Sequence, residues 1–411
     1  MADERVDEIV DVAIVGAGPA GLSAAAELRR LGVARVLVLE RESEAGGIPR
    51  HCTHSPYGLR EFRRLVTGPA YARRLVEAAK SAGVEIRTDT TVTACLPGPR
   101  LAIAANEGPG TIAARAVLLA TGARETSRAQ RLIGGTKPGG VLSTGALQGL
   151  VHLAGTLPFR RPAILGSELV AFSAILTCRA AGIRPVAMIE PGPRTIARAP
   201  AALLPRLLGI PLMHETSVVA VEGERRVEAL RLRHADGRET RIAADGLVVT
   251  GGFRPEASLL HDSHLARDAN TRGPEIDAYG RLSDAGYFAA GNCLHPVETA
   301  GWCWEEGRRV GRAIARALES GLPPATGTRI AIAGDALAYA IPARLAPIER
   351  PAFDRLMLRM ARPATGRLSL RVGGREIAAR RLSALPERRL FLPLPTGDGP
   401  VEVRFEETAS S

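Results

Sequence analysis

A glycine-rich turn between two apolar runs, close to the start of the chain, constrains the fold more than any other feature. The segment DVAIVGAGPAGLSAAAELRRLGVARVLVLE carries an apolar run into Gly16, Gly18 and Gly21, then a helix-like run, then a second apolar run that ends at Glu40. This order of strand, glycine turn, helix, strand and acid is typical of a dinucleotide-binding unit. A lone GxGxxG motif is weak evidence for nucleotide binding. Here the two strands and the acid accompany it, so we disfavour the alternative that the glycines form a turn needed only for packing.

Each residue of this turn has a mechanical role in such a unit. Gly16 allows a sharp turn, Gly18 lets a pyrophosphate approach the backbone, and Gly21 lets helix and strand pack closely. The helix start, with Pro19 and Ala20, offers free amides and the positive end of the helix dipole to phosphates. Glu40 lies about 20 residues beyond, where a carboxylate accepts hydrogen bonds from ribose hydroxyls.

Composition favours an intracellular globular enzyme. The 411 residues suggest two or three domains, and a hydrophobic content of 45% is ordinary. Apolar runs are shorter than a membrane span, and the charged start MADERVDEIV lacks the apolar core of a signal peptide, so we expect a cytoplasmic protein. The five cysteines form no close-spaced pair, which argues against a disulfide framework or dithiol motif, and the sequence predicts no metal site.

The net charge of +11 does not predict a nucleic-acid-binding protein. Among 54 basic residues only Lys80 and Lys137 are lysines, and the arginines are spread along the chain rather than clustered with aromatic residues. Because the chain is also rich in alanine, the excess of arginine over lysine is typical of the codon bias of a GC-rich genome. A solvated surface is the preferred interpretation, and a basic face for an acidic protein partner is the alternative.

Three further segments resemble a known family. RESEAGGIPR follows Glu40, LLATGARE occupies residues 118–125, and GYFAAGNCLHPVETAGWCWEEGRRV contains a strand-like run before Gly291, with a helix starting near Trp302. The combination resembles the two-dinucleotide-fold flavoproteins, whose first unit binds FAD. The resemblance implies an α/β fold with two Rossmann-like domains, the FAD-binding one discontinuous and the NAD-type one inserted, and noncovalently bound FAD as cofactor.

The resemblance also implies which further residues contact FAD. In the family, an acid after the late strand holds the flavin nucleotide, and here Asn292 stands in its place. The helix near Trp302 directs its amides to the pyrimidine edge of the flavin, with Thr299 as its cap. The implied contacts beyond the first turn are Arg41, Gly47, Ile48, Pro49, Ala120, Thr121, Gly122, Gly291, Asn292, Thr299, Ala300 and Trp302.

A second copy of the glycine turn is degraded. RPAILGSELVAFSAILTCRAAGIRPVAMIE repeats the order of strand, turn, helix, strand and acid, and ends at Glu190. Gly166 takes the first glycine position and Ala171 is an acceptable third residue. Glu168 stands at the second position, where its side chain and charge occupy the space of a pyrophosphate. We therefore predict a domain that keeps the fold and does not use NAD(P).

The motifs divide the chain into five parts. Residues 1–125 form the first part of the FAD domain, 126–155 a crossover, 156–265 the NAD(P)-type domain and 270–322 the second part of the FAD domain. GLPPATGTR reads as a linker. Residues 326–411 form a β-rich domain, in which alternating residues around Gly373 and Gly374 predict a β-hairpin.

The resemblance narrows to a subgroup of bacterial enzymes. GGIPRHCTHSPYGLREF and HPVETAGWCWEEGR resemble the larger subunit of multi-subunit amine dehydrogenases such as opine oxidase, hydroxyproline dehydrogenase and hydrogen cyanide synthase. That implies a hetero-oligomer with a second flavoprotein oxidase subunit, and a small ferredoxin-like subunit as a further candidate partner. The resemblance implies a cysteine-rich iron–sulfur module at the C-terminal end of several relatives. The tail of this chain departs from that pattern, because no cysteine follows Cys303 and such a cluster needs four thiolates. The tail is either a docking surface or a structural cap.

Candidate catalytic residues lie beside the implied flavin. His54 follows the Gly47 loop and either contacts the flavin ring or relays a proton; a structural histidine bonded to a loop carbonyl is the equal alternative. Cys303 lies between Trp302 and Trp304 and is either a redox thiol or, as is more common, a buried small residue. The two tryptophans either wall the flavin or pack between domains.

Three functions fit these features. The first is the flavoprotein subunit of an amine or imino-acid dehydrogenase that passes electrons to an acceptor other than NAD. The second is an FAD-stabilised scaffold whose partner carries out catalysis, and the third is a stand-alone NAD(P)H-dependent flavin reductase. The sequence does not name the substrate, since specificity resides in pocket side chains or in another subunit.

Overall fold

The structure is a computed structural model that describes residues 6–197, 201–296, 298–324, 328–347, 349–386 and 388–408. Its described part contains four separate hydrophobic clusters. The largest lies around the first sheet, two flank the sheets of the second half, and one fills the tail. The predicted boundary at residue 326 lies outside the described residues, and the other domain boundaries stay predictions.

The first sheet is centred on two long parallel strands. Its order is β3-β2-β1-β6-β5-β4, with β4 and β5 antiparallel to their neighbours. The last four residues of β1 and all of β2 are apolar and buried, as expected where both faces are covered. The elements are β1 (Glu8–Val15), α1 (Pro19–Arg30), β2 (Val36–Leu39), α2 (Leu59–Phe62), α3 (Gly68–Ser81), β3 (Glu85–Arg87), β4 (Thr91–Leu96), β5 (Arg100–Ala105), β6 (Gly108–Leu119) and β7 (Ala123–Arg124).

The second half forms a parallel sheet and an antiparallel one. The parallel sheet has the order β12-β11-β10-β16-β9, and the antiparallel sheet has the order β15-β14-β13-β8. A short pairing of β7 with β17 joins the halves. The elements are β8 (Gly134–Gly135), β9 (Val141–Ser143), α4 (Thr144–Gln148), β10 (Pro162–Leu165), α5 (Leu169–Ala180), β11 (Ala187–Ile189), α6 (Leu204–Leu207), β12 (Leu212–Met213), β13 (Thr216–Glu222), β14 (Ala229–His234), β15 (Glu239–Ala243), β16 (Gly246–Val249) and β17 (Arg254–Pro255).

The segment predicted as a crossover, residues 126–155, is more than a connection. Its strand β8 pairs with β13, and its strand β9 pairs with β16, so it completes both sheets of the second half. Strands this short carry no alternating pattern that the sequence could have revealed.

The chain then returns to the first sheet. Strand β18 (Tyr287–Ala289) pairs in parallel with the end of β6, and helix α7 (Ala300–Ser320) packs along α1. Close packing depends on small residues, because a Cβ on Gly307 would collide with the carbonyl of Ala20. Buried Glu27 of α1 pairs with Arg308 and Arg312 of α7, and despite the opposing effect of burial these arginines and Arg30 lower its pKa to about 2.

The tail folds into two small β-sheets. One has the order β19-β25-β22-β23 and the other β20-β21-β24. The predicted hairpin is confirmed, since Gly373 and Gly374 form a two-residue turn between Val372 and Arg375. The strands are β19 (Ile330–Ala333), β20 (Leu337–Ile341), β21 (Arg355–Met360), β22 (Ala364–Val372), β23 (Arg375–Ala384), β24 (Leu390–Pro393) and β25 (Val401–Glu407).

Within the described residues, no helix combines the length and the apolar character needed to cross a bilayer.

Candidate functional site

The first turn of α1 contains backbone amides that no protein acceptor among the described residues engages. Gly18 is the N-cap and Pro19 the first helical residue, and within the described chain no protein acceptor is bonded to the N–H groups of Gly18, Ala20 and Gly21. A Cβ on Gly18 would meet no atom within 4 Å, whereas one on Gly21 would collide with the carbonyl of Gly16. Free amides at a helix start bind phosphates. The turn therefore fits a pyrophosphate, and the open side of Gly18 faces its place.

Two distant segments reach this turn. A Cβ on Gly47 would lie 2.8 Å from the Cα of Gly18, and a Cβ on Gly291 would lie 2.8 Å from the Cβ of Ala20. Both glycines have positive φ, 62° and 83°, which other residues adopt rarely. The fold thus brings the loop after β2 and the turn after β18 onto the start of α1. Beside Gly47, Ile48 is exposed and Pro49 is buried, while Arg41 is exposed.

The motif after β6 adjoins the same turn from behind. A Cβ on Gly16 would lie 2.6 Å from the carbonyl oxygen of Ala120. The hydroxyl of Thr121 donates to the carbonyl of Glu256 at 2.6 Å, and the carbonyl of Gly122 accepts from the N–H of Glu256 at 2.9 Å. This motif therefore ties the first sheet to the second half, next to the glycine turn.

Glu40 is fixed by the backbone. One oxygen of its buried carboxylate accepts the N–H of Ala17 at 2.9 Å, and the other accepts the N–H of Glu42 at 3.1 Å. Each oxygen keeps a further lone pair that can accept a ribose hydroxyl. The geometry suits the role that the sequence predicts for this acid.

The second turn repeats the backbone of the first. The N–H of Gly16 donates to the carbonyl of Leu39 at 2.8 Å, and the N–H of Gly166 donates to the carbonyl of Ile189 at the same distance. Gly16 and Gly166 share a positive φ, 105° and 117°. The predicted duplication is therefore present in the backbone itself.

The side chains of the second turn differ from those of the first. Glu168, the N-cap of α5, folds its carboxylate back over the turn, where it accepts the Thr250 hydroxyl at 3.1 Å. The carboxylate lies so close to Gly166 and Gly251 that a Cβ on either glycine would collide with it. Burial raises the pKa of Glu168. Glu190 is buried and accepts the Ser167 hydroxyl, besides the N–H of Gly192 at 2.8 Å. A carboxylate thus fills the space that is open at the first turn.

Of three predicted contacts after β18, Asn292 is engaged within the protein. The side-chain amide of Asn292 donates to the Glu298 carbonyl at 3.1 Å and accepts its N–H at 3.0 Å, which closes a loop. Thr299 occupies the N-cap position of α7, where the sequence places it, although its side chain makes no capping bond among the described residues. The N–H of Ala300 has no protein acceptor among the described residues and is available to a ligand.

Trp302 packs between two arginines. The guanidinium carbons of Arg60 and Arg389 lie 4.0 Å from the centre of its ring. The backbone N–H of Trp302 donates to the carbonyl of Thr299 at 3.0 Å. Arginines on the ring favour packing between regions of the chain over a wall against the flavin. Trp304 is half-buried and carries Arg308 at 4.8 Å.

The two candidate catalytic residues have constrained surroundings. His54 contacts the Ser55 carbonyl through Nδ1 at 3.1 Å and the Ser173 hydroxyl of α5 through Nε2 at 2.6 Å. Cys303 is buried, and burial raises the pKa of its thiol well above the usual range. A neutral thiol is a poor nucleophile. The surroundings of both residues thus resemble the structural alternatives, and their catalytic roles stay predictions.

A buried group that the sequence did not single out supports the turn after β18. Glu306 of α7 accepts the N–H of Gly291 at 2.7 Å and contacts Nε2 of His295 at 2.6 Å. Burial alone would lower the pKa of His295, but its pairing with Glu306 outweighs burial and raises that pKa. Glu306 lies within a helix and His295 within an irregular loop, so no sequence spacing indicates the pair.

We expect a pH-dependent contribution of His295 to stability. Because its folded pKa lies above the unfolded value of about 6.5, the contribution is complete below that pH and declines as pH rises through the folded pKa. His295→Gln should lower the free energy of unfolding by about 3 kcal/mol at pH 6, since Glu306 loses its partner in the interior. The difference from the unmodified chain should shrink toward pH 9 in urea titrations. A difference in unfolding free energy that stays constant with pH would contradict this assignment. So would an equal, equally pH-dependent loss in the surface variant His264→Gln.

The family model described as pyridine nucleotide-disulphide oxidoreductase matches residues 10–317. The match runs from within β1 to the last turn of α7. The chain belongs to the pyridine nucleotide-disulphide oxidoreductase family. This family consists of FAD-dependent oxidoreductases with a mixed α/β fold and two dinucleotide-binding domains. The β-rich tail lies beyond the family match.

Curated relatives of this family member include components of oxidases. The chain is 27% identical over 341 residues to the alpha subunit of sarcosine oxidase from Rhizobium meliloti, covering 76% of this chain and 31% of the relative. It is 28% identical over 320 residues to an opine oxidase subunit from Agrobacterium tumefaciens, covering 70% of this chain and 62% of the relative. The chain thus spans about a third of one relative and under two thirds of the other.

Solved structures agree on the fold. Thioredoxin reductase of T. acidophilum superposes with a TM-score of 0.65 at 22% identity, covering 76% of this chain and 99% of that one. At this identity the likeness concerns the fold alone. The predicted family is confirmed, as are its α/β fold with two dinucleotide-binding domains and its β-rich C-terminal addition.

Proposed function

We propose that this chain binds FAD noncovalently at the first turn and serves as the flavoprotein subunit of an amine or imino-acid dehydrogenase. One observation carries the proposal: the chain holds two copies of one nucleotide-binding turn, and only the first is open. The N–H groups of Gly18, Ala20 and Gly21 have no acceptor among the described residues and the Cβ side of Gly18 is open, whereas the carboxylate of Glu168 fills the second turn. The donor class comes from the oxidase subunits to which the chain is related.

Bound FAD would supply an acceptor for a hydride from a carbon–nitrogen bond, and the protein would orient it. The turn at Gly18 would hold the pyrophosphate, and Glu40 would accept ribose hydroxyls. The start of α7, where the N–H groups of Ala300 and Gly301 have no acceptor among the described residues, would stabilise negative charge at the pyrimidine edge. His54 remains the proposed proton relay, by way of its contact with Ser173.

A disulfide reductase is a weaker candidate despite the fold it shares with thioredoxin reductase. All five cysteines are buried and free. Reductases of that kind need two cooperating thiols, of which one is an accessible thiolate. Electrons therefore leave the proposed flavin for an acceptor other than a protein disulfide at this site.

A scaffold that binds FAD but leaves catalysis to a partner is the second candidate. Its support is local: both ring nitrogens of His54 are engaged and the thiol of Cys303 is neutral, so neither is a ready base. Turnover separates the candidates. The isolated, FAD-loaded chain should reduce an artificial electron acceptor with an amine or imino acid if it is the catalytic component, and should not if it is a scaffold.

We expect the chain to form a hetero-oligomer with a second flavoprotein oxidase subunit, with a ferredoxin-like protein as a further candidate. Co-expression of a tagged chain with the products of neighbouring genes should yield a complex that survives size-exclusion chromatography. Amine oxidation by the complex should exceed that of the isolated chain by about 10-fold or more if the partner completes the site, as positioning effects of this size are common. A chain that stays alone and oxidises an amine at the full rate would contradict the assembly.

A further inference from the structure

A buried carboxylate joins the loop after β18 to the tail. Glu298 is 1% exposed at its side chain and precedes α7 by two residues. Arg359 of β21 donates to one of its oxygens at 2.5 Å. Arg389, which precedes β24, donates to the same oxygen through Nε at 3.0 Å and to the other oxygen through Nη2. Two arginines of the tail thus neutralise one acid of the loop.

The same loop is fixed at its other end by α7. The N–H of Gly291 donates to Glu306, and the side chain of Asn292 forms two bonds with the backbone of Glu298. Gly291 itself packs against Ala20, at the start of α1. Among its described residues, the loop 291–298 therefore contains a short, bonded path between the open glycine turn and the arginines of the tail.

Arg389 makes a second contact with the site. Its guanidinium lies over the ring of Trp302 in the first turn of α7, and Arg60 of α2 lies over the same ring. Planar guanidinium groups stack on aromatic rings and bind carboxylates in a forked geometry, which a lysine cannot reproduce. One tail residue thus contacts both the end of loop 291–298 and the beginning of α7.

Burial makes these contacts consequential. A carboxylate removed from water is stable only while charged partners and hydrogen bonds satisfy both of its oxygens. Without Arg389, Glu298 would keep its bond to Arg359 but lose both bonds from Arg389, including the one to its second oxygen, which would then need another donor. Because the backbone of Glu298 is bonded to Asn292, a shift of this side chain toward a new donor would loosen the loop that carries Gly291.

We propose that the β-rich tail positions the cofactor loop: Arg359 and Arg389 hold Glu298, and thereby set the conformation of loop 291–298 and of the start of α7. The nature of the cofactor rests on the proposed function. Arg359, Arg389 and Glu298 are positioning residues, since they act on the site through Gly291 and Trp302. Coupling of this kind is reciprocal, so FAD binding should also stabilise strand β21, which carries Arg359, and the segment around Arg389.

The test combines hydrogen exchange of the FAD-free chain with FAD binding. In Arg389→Met, amides of residues 290–301 should exchange at least about 10-fold faster, while amides of β22 and β25 keep their rates. The dissociation constant for FAD should rise at least about 10-fold, because the binding-competent loop is less populated. The matched control is Arg362→Met, which removes an exposed tail arginine paired with Asp335 and Glu407 and should leave both readouts unchanged.

A double-mutant cycle distinguishes positioning from general stability. Glu298→Gln and Arg389→Met should each weaken FAD binding, and their effects should not add, because both break one contact. Arg389→Lys keeps the charge, loses the forked geometry and gives an intermediate result if Arg389→Met does not fold. Unchanged exchange in residues 290–301, or faster exchange spread evenly over the tail, would show a structural cap and overturn the proposal. An unmodified chain that binds no FAD contradicts the proposed function, while the exchange data still decide the positioning role.

Discussion

Gly18→Glu will lower the affinity of the chain for FAD by about 100-fold or more. The open side of Gly18 faces the space assigned to the pyrophosphate, and a carboxylate there would meet phosphate charges of the same sign. At about 4 Å and an effective dielectric constant near 20, one such pair costs about 4 kcal/mol, and about 3 kcal/mol after screening corresponds to 100-fold. Fluorescence titration of the FAD-free chain measures the dissociation constant directly.

The substitution should leave the fold intact. Gly18 has a φ of −81°, which every residue adopts, and no protein atom lies within 4 Å of the new Cβ. The matched control is Gly139→Glu, at an exposed glycine of the second half without positive φ. Gly18→Glu should unfold at the temperature of the FAD-free unmodified chain, and Gly139→Glu should bind FAD normally. Equal FAD affinity in all three proteins would remove the first turn from the site.

NADH and NADPH will reduce the bound flavin slowly, because Glu168 fills the second turn. Its carboxylate lies over Gly166 and Gly251 and is bonded to Thr250, so a pyrophosphate would have to displace it. Burial raises the pKa of Glu168, so the charge repulsion is fullest at alkaline pH, while the steric block acts at any pH. In anaerobic stopped-flow at pH 8 with sub-millimolar NADH, we expect no bleaching of the flavin band within the first second.

Glu168→Gly tests the stated cause. Removal of the side chain frees the start of α5 and should strengthen NADH binding by about fivefold or more, the equivalent of about 1 kcal/mol. Glu224→Gly, at an exposed acid of the second half outside the second turn, is the control and should change nothing. Bleaching within milliseconds in the unmodified chain would contradict the assignment, and unchanged binding in Glu168→Gly would show that other residues close the site.

The features that local pattern controls could be predicted from the sequence. Gly16 and Gly166 each follow a buried strand and begin a helix, so both turns were visible, as was the substitution of Glu168 for the second glycine. The hairpin at Gly373 and Gly374 follows from turn chemistry in the same way. These elements depend on residues close together in the sequence, where periodicity and glycine spacing are informative.

The long-range polar contacts could not be predicted. Glu298 pairs with Arg359 and Arg389, which lie far along the chain. His295 pairs with Glu306, which lies on a helix rich in charged residues. Charged residues are usually solvated, so their burial depends on how the tail docks, which no local pattern encodes. For the same reason the sequence does not decide whether Trp302 walls the flavin or packs between domains, because that depends on the arginines that lie over its ring.

The amount of FAD bound by the purified chain tests the central claim most directly. The chain should be isolated under native conditions and supplied with FAD, and after gel filtration and denaturation with acid the released flavin should be identified by chromatography. We predict one FAD per chain, released without covalent attachment, and a gain in unfolding free energy of about 2.7 kcal/mol at 100 times the dissociation constant. A colourless protein that neither retains FAD nor gains thermal stability from tens of micromolar FAD would contradict the account.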